Sequence, residues 1–143
     1  MKSENIKRYF ANDRFAAMSG IDILEVGPGY CKAAMRVADQ HKNAADNVQG
    51  GAIFTLADLA FAVASNSHGQ MAVAINANIA FLKAVREGVL FATASEVTEP
   101  GRLGSYDVLI TDETEAVVAR FTGMVYRKRQ QLMTRPAPGD DQA

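Results

Sequence analysis

Apolar residues Ile6, Phe10, Phe15 and Met18 recur at near-helical spacing, and Gly20 supplies a stop. That spacing predicts one amphipathic helix within residues 1–20. Two strand-like runs follow, residues 22–26 and 30–37, joined by the turn signal Gly27-Pro28-Gly29. Residues 41–49 are polar and rich in Asn, Asp and Ala, which reads as a loop. Residues 50–67 then read as a helix that is apolar nearly all round, and such a helix must be buried. After Gly69 four long strand-like runs succeed one another: 71–82, 89–97, 103–111 and 116–126. In the first, Val73, Ile75, Ile79 and Phe81 fall on one face, and Ala72, Ala74, Asn76, Asn78 and Ala80 on the other. The connectors Arg86-Glu87-Gly88, Glu99-Pro100-Gly101-Arg102 and 112–115 are short and polar, as hairpin turns require.

One long buried helix beside six strands predicts an α+β fold, an antiparallel sheet curling around the helix. At 143 residues the chain suits a single core. Residues 130–143 read as a disordered tail, low in complexity from Arg135 onward. Fifteen Lys and Arg against sixteen Asp and Glu leave no basic field for nucleic acid. One cysteine and two histidines exclude a disulfide framework and a clustered Cys/His zinc site. No apolar run reaches the roughly 20 residues that span a bilayer, and residues 1–5 begin no secretory signal. The expected setting is cytoplasmic, away from membranes.

Asp58 is the sole charge in the apolar run 52–64. An unpaired carboxylate there is costly or shifts its pKa. It is either a structural acid bonded to an amide or a buried Arg, or a general base or nucleophile lining a cleft. The second feature is Gly50-Gly51 at the start of the same helix. First-turn N–H groups are unpaired and carry the positive dipole end, so glycines there can hold a carbonyl or oxyanion. Gly51 and Asp58 are seven residues apart, about 10 Å along a helix axis. One helix cannot easily bring both to one carbonyl. Two antiparallel copies can, so the chemistry suggests a homodimer with shared sites.

The run Asn43-Ala-Ala-Asp-Asn-Val-Gln-Gly-Gly-Ala-Ile-Phe-Thr-Leu-Ala-Asp58 resembles the Asn-x5-His-Gly-Gly-x6-Asp motif of hotdog-fold acyl-CoA thioesterases, the phenylacetic-acid-degradation group above all. The likeness spans residues 22–127, including Asn78-Ile-Ala-Phe-Leu and the closing run from Val118 to Tyr126. It implies a hotdog domain over residues 21–129, a long central helix wrapped by a curved antiparallel sheet. It implies hydrolysis of acyl-CoA thioesters by a homodimer, assembled further as a dimer of dimers. Asp58 matches the family's nucleophile or general base, Gly50 the amide that polarises the thioester carbonyl, and Asn43 the loop amide that contacts thioester or water. Gln49 stands where the family has His; it can donate a hydrogen bond but cannot take up a proton. No metal or redox cofactor is implied, coenzyme A entering only as part of the substrate.

Further expectations attach to single residues. Gly51 joins Gly50 in substrate binding, and Phe54 and Phe61, on turns flanking Asp58, either line an acyl pocket or belong to the core. Arg127 and Lys128, in the basic run 127–129, either receive coenzyme A phosphates or form a solvated face. Cys31 reads as a small core residue, His41 as a solvated loop side chain or else one that approaches a site from the loop before Asn43, and His68 as a cation at the helix C-terminus. Two rival functions stand beside hydrolysis. A hotdog hydratase or dehydratase needs a catalytic His near the acid, a place neither His41 nor His68 occupies. A non-catalytic acyl-CoA binder or sensor gains weight from Gln49 and would bind ligand without turnover.

Overall fold

The computed structural model describes residues 2–132. Six strands form one antiparallel sheet: β1 (Ile21–Gly27), β2 (Tyr30–Arg36), β3 (Gln70–Phe81), β4 (Val89–Glu96), β5 (Leu103–Thr111) and β6 (Val117–Gln131). Three α-helices accompany them, α1 (Ser3–Phe10), α2 (Arg14–Met18) and α3 (Gly50–Asn66), with a short 3-10 helix at Asp39–His41. Helix α3 lies across the sheet, and Leu56, Ala57, Ala60, Val63 and Ala64 are fully excluded from water against Leu90, Ala92, Ala94 and Ile110. The small residues of β2 and β4 let the helix come close. Gly123 is needed for the same reason, since a Cβ there would stand 2.7 Å from the Phe61 ring. This is the α+β hotdog architecture that the resemblance implied.

The structure departs from the sequence reading in three places that matter to the site. The predicted single N-terminal helix is two. Asp13 accepts a hydrogen bond from the Ala16 N–H (3.0 Å) and so caps a new helix, because a short acidic side chain competes with helix continuation and favours a cap. The strand order is β1-β2-β4-β5-β6-β3, so β3 and β4 are not neighbours and Arg86-Glu87-Gly88 is no hairpin. The chain instead crosses from the β3 edge to β4, three strands away. Val85 is buried there, and its carbonyl accepts from the Val48 N–H (2.8 Å), which ties the crossing to the start of α3. Strand β6 also outruns its expected end, taking in Gln130 and Gln131 with Leu132 buried beyond them. The rest of the expected tail lies outside the described residues.

Among the described residues, strand β3 pairs with β6 on one side and has its other edge open. Register shifts at Gln70/Ala72 and Ala74/Asn76 break the simple alternation expected for it. Its start is tied to the end of α3, where Asn66 Oδ1 accepts from the Ala72 N–H (2.9 Å). Its far end reaches the start of α3, where the Phe81 ring covers Gly50. The open edge therefore runs the whole length of the helix, with Ile75 and Phe81 exposed along it.

Candidate active site

The loop before α3 is built by Asn43. Its side-chain carbonyl accepts from the Ala45 and Asn47 N–H groups (2.9 and 3.1 Å), and its own N–H donates to the Asn47 carbonyl (2.7 Å). This Asx-type turn needs Asp46 at φ 67, a conformation that short polar side chains tolerate. With its carbonyl engaged, Asn43 has only its side-chain NH₂ left to offer a ligand. The loop is closed by His41, where the sequence reading expected a solvated side chain. His41 is buried: Nδ1 accepts from the Ala38 N–H (2.9 Å), so Nε2 carries the proton and donates to the Ser19 carbonyl (2.7 Å). Its own carbonyl accepts from the Gln49 N–H (2.8 Å). One ring thus locks the end of α2 to the start of α3. Sequence reasoning missed this, because nothing local to His41 marks Ser19 as its partner.

Gln49 is the N-cap of α3, with extended backbone and no capping bond from its side chain. Its carbonyl accepts from the Ala52 N–H (2.9 Å). Among the described residues, the Gly50 and Gly51 N–H groups have no acceptor, so two donors stand free at the positive end of a 17-residue helix. At position 50 a Cβ would lie 2.9 Å from the end of the Phe81 ring, so a larger residue there must push that half-exposed ring aside. At position 51 a Cβ would crowd only the Gln49 side-chain oxygen, at 3.0 Å. Phe81 is the second residue the sequence reading overlooked. It walls one side of the free amides while remaining half-exposed itself.

Asp58 corrects the expectation of a helix buried all round. Gly51, Thr55, Asp58 and Ala62 form a stripe that the chain's own core leaves uncovered, and Asp58 is exposed on it. Water reaches the carboxyl, yet the surrounding protein desolvates it enough to raise its pKa, and the nearby Asp13 carboxylate adds to the rise. Both causes favour proton uptake.

Two of the remaining candidates leave the site. Phe61 is buried in the core, edge-on to Tyr106 (5.7 Å) and tilted against Phe121 (5.3 Å), which is the core alternative of the sequence reading. Phe54 is half-buried and also packs edge-on against Phe121 (5.5 Å). Arg127 is no surface cation awaiting a phosphate. Its guanidinium is buried and donates to Glu96 (2.7 Å), to the Tyr106 hydroxyl and to the Gly101 carbonyl (2.8 Å), while Glu96 also meets His68 (3.2 Å) and the Tyr106 hydroxyl. This cluster sits past the C-terminus of α3, at the end of the helix away from Gly50. Lys128, on the opposite face of β6, is exposed. Cys31 is buried, and burial pushes its thiol up to about 12, which keeps it protonated and inert. Among the described residues no cluster of His, Cys, Asp and Glu is arranged to hold a metal ion, and no helix is long and apolar enough to cross a membrane.

Residues 46–119 match the family described as the thioesterase superfamily. The chain is 35% identical over 125 residues to the acyl-coenzyme A thioesterase PaaI of Escherichia coli, covering 87% of this chain and 89% of that protein. The solved structure of the E. coli PaaI protein from the phenylacetic acid degradation operon superposes with a TM-score of 0.86 at 34% identity, over 91% of this chain and 95% of that one. A Streptococcus mutans protein solved bound to acetyl CoA superposes with a TM-score of 0.74 at 25% identity, over 78% of this chain and 91% of that one. With its free helix-terminal amides, its motif and these matches, the chain belongs to the thioesterase superfamily and is a thioester hydrolase of the hotdog fold.

Proposed function

We propose that the substrate is an acyl-CoA thioester, hydrolysed to free acid and coenzyme A at a site shared by two copies of the chain. The observation that carries this reading is the pair of unpartnered N–H groups at Gly50 and Gly51, on the same helix as the exposed Asp58. Donors aimed where charge develops stabilise the oxyanion of acyl transfer. The thioester carbonyl rests on the Gly50 amide, with Gln49 and the Asn43 NH₂ beside it as further donors. The attacking oxygen comes from water activated by Asp58, or the Asp58 carboxylate attacks directly. Either way the sulfur leaves as the coenzyme A thiolate, which its moderate basicity permits without a strong general acid. Gln49 in the usual His position fits that economy.

Within one chain the carboxylate is about 10 Å of helix away from the amides. The open β3 edge supplies the remedy. An unpaired 12-residue edge is a template for a second strand, and antiparallel pairing of two β3 edges about a twofold axis sets the two α3 helices side by side in opposite directions. The Gly50 end of each helix then approaches the Asp58 half of its partner. The acetyl CoA bound by the S. mutans relative and the activity named for the E. coli relative support the choice of acyl-CoA.

The test is release of free thiol from a panel of acyl-CoAs by the wild type and by Asp58→Asn. Turnover by the wild type with loss of at least about a thousandfold in the variant is expected for a residue that activates the nucleophile. Tight binding of acyl-CoAs by the wild type with no thiol release would instead mark a binder or sensor.

A further inference from the structure

Two depressions flank the free amides of α3, one on each side. The one beside Gly50 has a volume of about 540 Å³ and is lined by Asn43, Asn47, Phe81 and Lys83 among others. The one beside Gly51 has a volume of about 430 Å³ and is lined by Phe15, Met18, Gln49, Ala52 and Thr55 among others. A thioester carbonyl held on these amides sends two arms away from its carbon, the acyl chain and the sulfur. The two depressions lie where two such arms must go.

We propose that the depression beside Gly51 takes the acyl group, and that Phe15 and Met18 of α2 are the residues that set acyl specificity, favouring apolar acyl groups larger than acetyl. This rests on the acyl-CoA reading above. Two observations assign the arms. First, Phe15 and Met18 are 60% and 70% exposed, large apolar side chains standing over this depression with no packing duty in the core. An apolar chain laid against them removes surface from water on both sides. Second, both depressions carry amide side chains and exposed apolar ones, but the Gly50-side depression alone adds a lysine, Lys83, a cation that suits the phosphorylated thiol arm.

The helix that carries this wall is also anchored. Helix α2 is capped by Asp13, packed through the buried Ala16, and fastened to the α3 loop by the bond between His41 and the Ser19 carbonyl. A preformed apolar wall selects among ligands at little ordering cost.

The experiment measures binding and turnover separately. Dissociation constants for acetyl-, hexanoyl- and benzoyl-CoA are taken by calorimetry on Asp58→Asn, which keeps the thioesters intact. Hexanoyl- and benzoyl-CoA should bind at least about tenfold more tightly than acetyl-CoA, a gap that burial of a few methylenes supplies. Adding Phe15→Ala and Met18→Ala should close the gap to within about threefold, leaving the acetyl-CoA constant unchanged. Met18→Trp should weaken the two larger thioesters and spare acetyl-CoA. Because both side chains are exposed, the melting temperature should not move.

A gap that survives both alanines overturns the assignment, as does an absent gap or an equal loss for all three thioesters. A change of oligomeric mass in the alanine variants also overturns it, since Phe15 and Met18 would then be a subunit contact. Failure of the acyl-CoA reading looks different: the gap closes as expected, but the wild type releases no thiol.

Discussion

Replacing Arg127 by Met should unfold the protein at much lower temperature without touching substrate affinity. Arg127 is buried, and its guanidinium meets Glu96, the Tyr106 hydroxyl and the Gly101 carbonyl. Methionine fills similar volume but donates nothing. Glu96 is then left mostly buried with only His68 and the Tyr106 hydroxyl, and breaking such a pair from one side costs about 3–5 kcal/mol. At about 4 °C per kcal/mol for a chain of this size, the melting temperature should fall by roughly 10–20 °C. Adding Glu96→Leu removes the stranded charge and should recover part of the loss. The assay pairs a thermal melt by circular dichroism with KM for the best acyl-CoA. A phosphate-binding Arg127 would give the reverse, a raised KM with the melt unmoved, and that result would refute the buried-cluster account.

Three further outcomes follow from the site. Asp13→Asn keeps the α2 cap, since Asn caps as well as Asp, but removes the like charge near Asp58. The Asp58 pKa should drop toward its ordinary value, moving the acidic limb of the pH–rate profile to lower pH; a limb that stays put or moves up contradicts the assignment. The Asp58→Asn variant should melt at pH 7 no lower than the wild type. A carboxyl whose folded pKa exceeds its unfolded value binds its proton more tightly when folded, so its ionisation costs stability as pH rises above about 4, and Asn removes that cost; a clearly lower melt would mean Asp58 is structural. Gln49→Ala should slow turnover roughly tenfold to a hundredfold, and Gln49→His should stay within about tenfold, because the position supplies a hydrogen-bond donor worth about 1–3 kcal/mol. Unchanged turnover in Gln49→Ala would put that side chain outside contact with the substrate.

The order of helices and strands was legible because each carries its own period: 3.6 for α3, 2 for the strands. The motif from Asn43 to Asp58 was legible because its residues are close in sequence. Placement in space was not. Short polar connectors look alike whether they close a hairpin or cross the sheet, so β3 was read as a neighbour of β4, and nothing near 86–88 reveals that Val85 bonds to Val48. The apolar look of α3 concealed its open stripe, because Gly51 and Ala62 are as small as core residues yet lie on it. Arg127 was recoverable in part. Phe121, Gly123, Val125 and Arg127 share the inward face of β6, which the period alone assigns. What the period cannot supply is the partner, Glu96, thirty-one residues earlier on another strand.

Shared sites are the centre of the functional account, and subunit complementation tests them most directly. Asp58→Asn keeps the Gly50 amide and lacks the acid. Gly50→Pro keeps the acid and lacks the N–H, and proline is well tolerated at the first position of a helix, with the half-exposed Phe81 ring able to move aside. Each variant alone should be inactive. After the two are mixed in equal amounts and exchanged through mild denaturation, half the dimers are mixed and each rebuilds one of its two sites, so about a quarter of wild-type turnover should return. If no thiol is released after exchange is verified by mass, the amides and the carboxylate do not meet across a dimer.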